Sequence, residues 1–165
     1  MAKPRAPEIR RIVTGHDASG KAVVSIDGLA TNHKFPTDTL TSTLMWVTDA
    51  APASYSGDAD EGNRILGSAP PPGGTRFCVI EIQPGNEYHG LHRTDTVDYV
   101  ICMEGELDME LDDTRVTMKA GDIMIQRGTY HAWVNRSKAL ARIACVLVDG
   151  TPKREGSVSG TTSAR

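Results

Sequence analysis

Residues 90–135 read GLHRTDTVDYVICMEGELDMELDDTRVTMKAGDIMIQRGTYHAWVN, and this stretch decides the fold. Four short apolar runs, 99–103, 107–111, 116–118 and 123–125, are each followed by a turn signal carrying Gly or Asp. That punctuation belongs to antiparallel strands joined by tight turns. None of the runs is long enough for an amphipathic helix.

Working outward, residues 76–83 (RFCVIEIQ) form a strong strand ending at Pro84 and Gly85, and residues 141–148 (ARIACVLV) supply a closing strand. Alternation along 76–83 puts Phe77, Val79 and Glu81 on one face and Cys78, Ile80 and Ile82 on the other. A glutamate on a largely apolar face is costly if buried alone, so Glu81 is expected at an edge or in a polar site. Nearer the N-terminus, two β-branched runs at 11–14 and 21–26 flank a polar segment, 16–20, so the chain is expected to open with a hairpin whose turn includes His16. Residues 28–43 are polar and turn-rich, and 42–48 offer another strand in which Trp46 serves the core or walls a cavity. Residues 50–75, with Pro52, Pro70, Pro71 and Pro72, read as a long loop, either a connector or a lid.

At 165 residues the chain suits one domain. Its expected parts are an N-terminal hairpin, strand and loop extension over 1–75, a barrel core over 76–150 and a mobile tail over 151–165. With 18 basic and 21 acidic residues the net charge is −3, which gives no basic field for nucleic acid and no basic patch for a membrane surface. The charged N-terminus carries no apolar leader, and the apolar run at 143–148 is too short to span a bilayer, so a cytoplasmic protein is expected. Cys78, Cys102 and Cys145 each sit in an apolar strand run without Cys-x-x-Cys spacing, as reduced core thiols do.

The segment from His92 through Asp98 to Gly105, followed by Gly121-Asp122, Arg127-Gly128, His131 and Asn135, resembles the paired motifs of the cupin family. The resemblance implies an all-β, single-domain antiparallel barrel of the double-stranded β-helix or jelly-roll kind, pairing through its N-terminal strands as a homodimer. It also implies a divalent metal ion (Fe, Mn, Ni or Zn) inside the barrel. In that pattern His92 takes the place of the first histidine, Thr94 of the second, Asp98 of the glutamate and His131 of the histidine in the second motif. His92, Asp98 and His131 are thus the expected metal ligands, with His89 a substitute.

Strand alternation independently puts His92, Thr94, Thr96, Asp98, Val100 and Cys102 on one face, if the segment is extended throughout, and His131 with Trp133 on another. Two imidazoles and one carboxylate are the donor set of a facial triad, which leaves positions open for substrate. Arg127, Trp133, Thr94 and Tyr130 are candidates for substrate contact, and Arg127 is also suited to a salt bridge with Asp95 or Asp122. Asn135 is expected to fix a turn. The functions left open are a metal-assisted small-molecule enzyme of oxygenase, lyase or isomerase type, and a non-catalytic small-molecule-binding barrel without metal. No nucleophile elbow, phosphate loop or dinucleotide fingerprint is present.

Overall fold

The computed structural model describes residues 6–86 and 90–152, and it is all β apart from one 3-10 turn at Glu61–Asn63. Strands β1 (Arg10–His16) and β2 (Ala22–Leu29) form the expected hairpin. The turn begins one residue later than expected. His16 closes β1, and the Asp17 carboxylate organises the reversal by accepting from the Ser19 and Lys21 amides at 2.8 and 3.0 Å.

The remaining strands are β3 (His33–Thr37), β4 (Leu40–Thr48), β5 (Thr75–Ile82), β6 (Thr96–Glu104), β7 (Glu106–Glu110), β8 (Arg115–Lys119), β9 (Ile123–Arg127), β10 (Ala132–Val134) and β11 (Ala141–Asp149). They build a six-stranded sheet in the order β3-β4-β5-β11-β6-β9 and a three-stranded sheet in the order β10-β7-β8. Residues 28–43, read as turn-rich, contain β3 and the start of β4. Pro36 is tolerated because β3 is the edge of its sheet, where a missing amide proton breaks no ladder. Since β4 pairs with β5 along its length, strands from before residue 76 are part of the main sheet.

The inner face of the six-stranded sheet carries Cys78, Ile82, Val100, Cys102, Ile143 and Cys145, which pack against Leu107 and Met118 of the smaller sheet. The strand alternation that reads Asp98, Val100 and Cys102 as inward is borne out, with Tyr99, Ile101 and Met103 exposed between them. A second cluster on the outer face joins Ile9 and Ala30 to Met45, Val79 and Ala144. The three cysteines are free and buried, and Cys78 and Cys145 face each other across β5 and β11.

Of the two expectations for Glu81, the edge is not met and the polar surroundings are. It sits on an interior strand, buried, and its carboxylate accepts from Arg142 Nη2 and Nε at 2.6 and 2.9 Å. Gly105 shows why the β6 to β7 turn needs glycine. Its φ is +73°, and a Cβ there would lie 2.3 Å from the Leu140 carbonyl oxygen.

The loop at 50–74 is tied down from the N-terminal side. Arg11 makes a two-pronged ion pair with Asp60 at 2.5 and 2.7 Å and donates to the Met45 carbonyl at 3.0 Å. The Asn32 amide holds the carbonyls of Gly62 and Arg64 at 3.0 and 2.8 Å. These bonds span 30 to 49 residues of sequence and anchor residues 60–64 of the loop to the N-terminal segments.

Candidate functional site

The site forms where the two motifs meet. His92 and His131 lie outside the regular strands in an isolated antiparallel bridge, each donating its amide to the other's carbonyl, at 3.0 and 2.9 Å. A mutually bonded pair of this kind projects both side chains to one side of the backbone. Their rings are 4.4 Å apart, and Trp133 meets the His131 ring edge-on at 5.9 Å. The expected extension of one strand from 92 to 102 is interrupted, because β6 begins only at Thr96.

Asp98 follows on β6, opposite Gln126 of β9 in the register. It is 5 % exposed; its Oδ2 accepts from Gln126 Nε2 at 3.1 Å, while Oδ1 is buried without a partner. Burial pushes its carboxyl above the usual range, against a smaller opposing effect from the Thr96 hydroxyl.

Both imidazoles are shifted the other way. Burial lowers His92, and burial lowers His131 to about 4, aided by a His92 charge and opposed by the bond to the Thr129 carbonyl. Both rings are therefore neutral near pH 7. His131 Nδ1 lies 3.0 Å from the Thr129 carbonyl and 2.9 Å from Gln126 Nε2. Donation to Thr129 leaves Nε2 with its lone pair, as a base or ligand needs; acceptance from Gln126 puts the proton on Nε2 instead.

The donor set suits a divalent ion in kind: two neutral imidazoles, one held by a backbone carbonyl, and a carboxylate with an unused buried oxygen. It is not a closed set as placed. No three His, Cys, Asp or Glu side chains among the described residues surround one point, and the Asp98 carboxylate is drawn toward Gln126. His89 lies outside the described residues.

Of the expected substrate contacts, Trp133 is half-buried against His131, and Thr94 is half-buried with its hydroxyl 2.7 Å from that of Thr96. Tyr130 stands at the rim under the Arg93 guanidinium, 5.4 Å from its ring centre. Arg127 is exposed and does not face inward with Gln126. Alternation along β9 buries Gln126 and turns its neighbour Arg127 outward. The ion pair foreseen for Arg127 with Asp95 is made by Arg93 instead, at 3.1 Å. Gln126, which carried no role in the sequence reading, is the group that links Asp98 to His131. The same alternation, counted from exposed Ile125, is the signal that points it inward.

Behind the site, Asn135 is fully buried and fixes the turn as expected. It donates to the Ile82 and Ala139 carbonyls, both at 2.8 Å, and its side-chain oxygen accepts from the Ser137 amide at 2.9 Å.

Residues 78–147 match the model of the cupin domain. The chain is 33% identical to Phomopsin biosynthesis cluster protein C' of Diaporthe leptostromiformis over 92% of its own length and 87% of that protein's. It is 31% identical to Cupin-domain-containing oxidoreductase srdD of Neurospora crassa, over 87% of this chain and 78% of the other. Among solved structures, a Cupin 2 conserved barrel domain protein from Salinispora arenicola aligns with a TM-score of 0.46 at 18% identity, covering 72% of this chain and 82% of that one. With its two motifs, its two-sheet barrel and full-length relatives of this kind, the chain belongs to the cupin family.

Proposed function

We propose that this cupin is a small-molecule enzyme of the oxygenase, lyase or isomerase type, assisted by a divalent metal ion and working on the inner face around His92, Asp98 and His131. The observation that carries the reading is the pair of neutral, adjacent imidazoles beside a buried carboxylate with an unpartnered oxygen. The relatives named as a biosynthesis cluster protein and as an oxidoreductase support a catalytic role in small-molecule metabolism.

His92 and His131 would hold the ion through imidazole nitrogens, with Asp98 as the third ligand. The ion, when bound, would supply Lewis-acid polarisation of a substrate oxygen. In the tautomer that donates Nδ1–H to the Thr129 carbonyl, His131 Nε2 keeps its lone pair for the ion. Trp133 walls the space beside the His131 ring, and the Arg93 and Tyr130 pair lines the rim. Gln126 holds Asp98 in the resting state and must release it, or turn with it, when the carboxylate is engaged.

The test is metal content after purification without added metal, followed by melting with iron, manganese, nickel and zinc. A stoichiometric ion, or a rise in Tm with one of these metals that is absent in His131→Ala, is the expected result. Absence of both removes the metal reading. The second reading, a binding barrel without metal, is favoured by the lack of a closed three-ligand set as the side chains now stand.

A homodimer is the assembly we propose. The outer face of β6 and β9 exposes Tyr99, Ile101, Ile123 and Ile125, and the β1 and β2 hairpin exposes Ile12, Val24 and Leu29. Contiguous apolar surface of this kind is what a second copy would cover. Sedimentation at monomer mass across micromolar concentrations would rule this out.

A further inference from the structure

Gln126 stands between the buried acid and the histidine of the second motif. It lies on β9 directly opposite Asp98 of β6, and the turn that follows, with Gly128 at φ +58°, brings the His131 ring within its reach. One atom makes both contacts. Gln126 Nε2 is 3.1 Å from Asp98 Oδ2 and 2.9 Å from His131 Nδ1, and the same Nδ1 is 3.0 Å from the Thr129 carbonyl oxygen. Gln126 is 3 % exposed and His131 6 %, so a polar contact missed here carries the cost of a buried, unanswered group.

The two contacts at Nδ1 exclude each other. An imidazole nitrogen has one in-plane position, which holds either a proton or a lone pair, whereas an amide nitrogen only donates and a carbonyl oxygen only accepts. With a proton on Nδ1, the ring donates to Thr129 and meets the Gln126 N–H head-on. With a lone pair there, it accepts from Gln126 and leaves the Thr129 oxygen facing that lone pair. The tie is broken on the other side of the amide. A carboxylate can only accept, so Asp98 holds the Gln126 nitrogen toward itself, and the second proton of that nitrogen is left for Nδ1.

We infer that Gln126 is a positioning residue that couples Asp98 to the tautomer of His131. While its amide donates to Asp98 it also keeps the ring proton on His131 Nε2, so the carboxylate and the imidazole lone pair are withheld together. Released from Asp98, the amide can make a half-turn that presents its oxygen to Nδ1. There, with Thr129, it accepts the ring proton and leaves the Nε2 lone pair open. The coupling also accounts for a centre whose donors are right in kind and yet, among the described residues, surround no common point. Its use as a restraint on ligation rests on the metal reading above, whereas the coupling itself is a property of the metal-free chain.

The experiment reads the His131 tautomer by 15N NMR in the metal-free full chain at neutral pH, with the His131→Gln spectrum assigning the signals. Wild type is expected to favour the proton on Nε2 by about tenfold or more. The proton is expected to move to Nδ1 in Gln126→Leu, which removes the donor, and in Gln126→Glu, which offers the ring an acceptor in the same place. If Gln126→Leu fails to fold, Gln126→Glu and the wild-type spectrum decide. Titration with zinc, iron, manganese and nickel follows, and a metal that binds wild type is expected to bind Gln126→Leu roughly tenfold more tightly, because the ligands no longer wait on the amide. A wild-type proton on Nδ1, or one that stays on Nε2 in the variants, overturns the coupling even where a metal binds. Unchanged or weaker metal binding by Gln126→Leu overturns the restraint. Should neither chain bind any of the four metals while the tautomer moves as expected, the metal reading falls and the coupling stands.

Discussion

The two ends of one sheet face solve the same electrostatic problem in opposite ways. At the β6 and β9 end, His131 and Asp98 are buried with the exposed His92 beside His131, and each adjusts its proton: the imidazoles become neutral and the carboxyl moves toward neutrality. At the β4 and β5 end, Arg76 has no such freedom and keeps its charge. Titratable groups can meet burial by changing charge state, and those states are what acid–base or ligand chemistry draws on. A permanent cation has to be matched by fixed acceptors, and the Ser68 carbonyl and the Ser42 hydroxyl take that place for Arg76.

The largest effect that can break this contrast is expected at His131. His131→Ala should eliminate the ion-dependent rise in Tm altogether while the metal-free chain still folds, because two imidazoles and one carboxylate leave no spare ligand. Melting curves with and without each metal check it. A rise that survives the substitution would move the metal elsewhere.

Next is the pH profile of the same group. His131 has a folded pKa lowered to about 4, so the unfolded chain binds the proton more tightly. Its contribution to stability is therefore present above the ordinary histidine value and lost as pH falls from about 6.5 toward 4, by up to roughly 3 kcal/mol. Asp98, with its raised folded pKa, works against this loss at the acid end of the window. Denaturant unfolding of the metal-free chain at a series of pH values should show the decline. His131→Gln should flatten it, and an unchanged slope in that variant would assign the decline to other groups.

A smaller effect is expected where the loop is anchored. Arg11→Ala strands the largely buried Asp60 carboxylate and should cost about 2 kcal/mol, read as a lower denaturant midpoint and faster proteolysis within 50–74. Asp60 is held below the usual carboxylate range chiefly by the Arg11 bond. The stability it adds is complete above that range and is lost as pH falls through its depressed folded value. Arg10→Ala, which removes a fully exposed pair with Asp27, should leave the midpoint unchanged. A large loss there would mean that the hairpin is covered by a second copy.

The strands were legible because their signals are local. Alternation over 96–103 and 141–148 names the inward residues directly, and the glycine at 105 marks its turn. The histidine pair was legible as two motifs, and alternation put Asp98 inward. The expected roles of Arg127 and Glu81 were not reliable guides to position. Sequence identifies the chemistry of a side chain but not the side of the strand on which its charge is answered. Arg93 took the partner foreseen for Arg127, and Glu81 found Arg142 on an adjacent strand 61 residues away.

What the sequence determined alone was therefore the class of fold, the run of strands, the family and the identity of the inward groups on β6, since period-two patterning and turn residues act over a few neighbours. Only the tertiary structure decided that Gln126 lies between Asp98 and His131, that Asp98 keeps an unpartnered oxygen, and that Arg76 is sealed under the loop without a counter-ion. Each of these depends on register between strands and on contacts between distant segments. A one-residue slip of β9 against β6 would turn Gln126 outward and Arg127 in, and nothing in the local pattern of either strand reports that pairing.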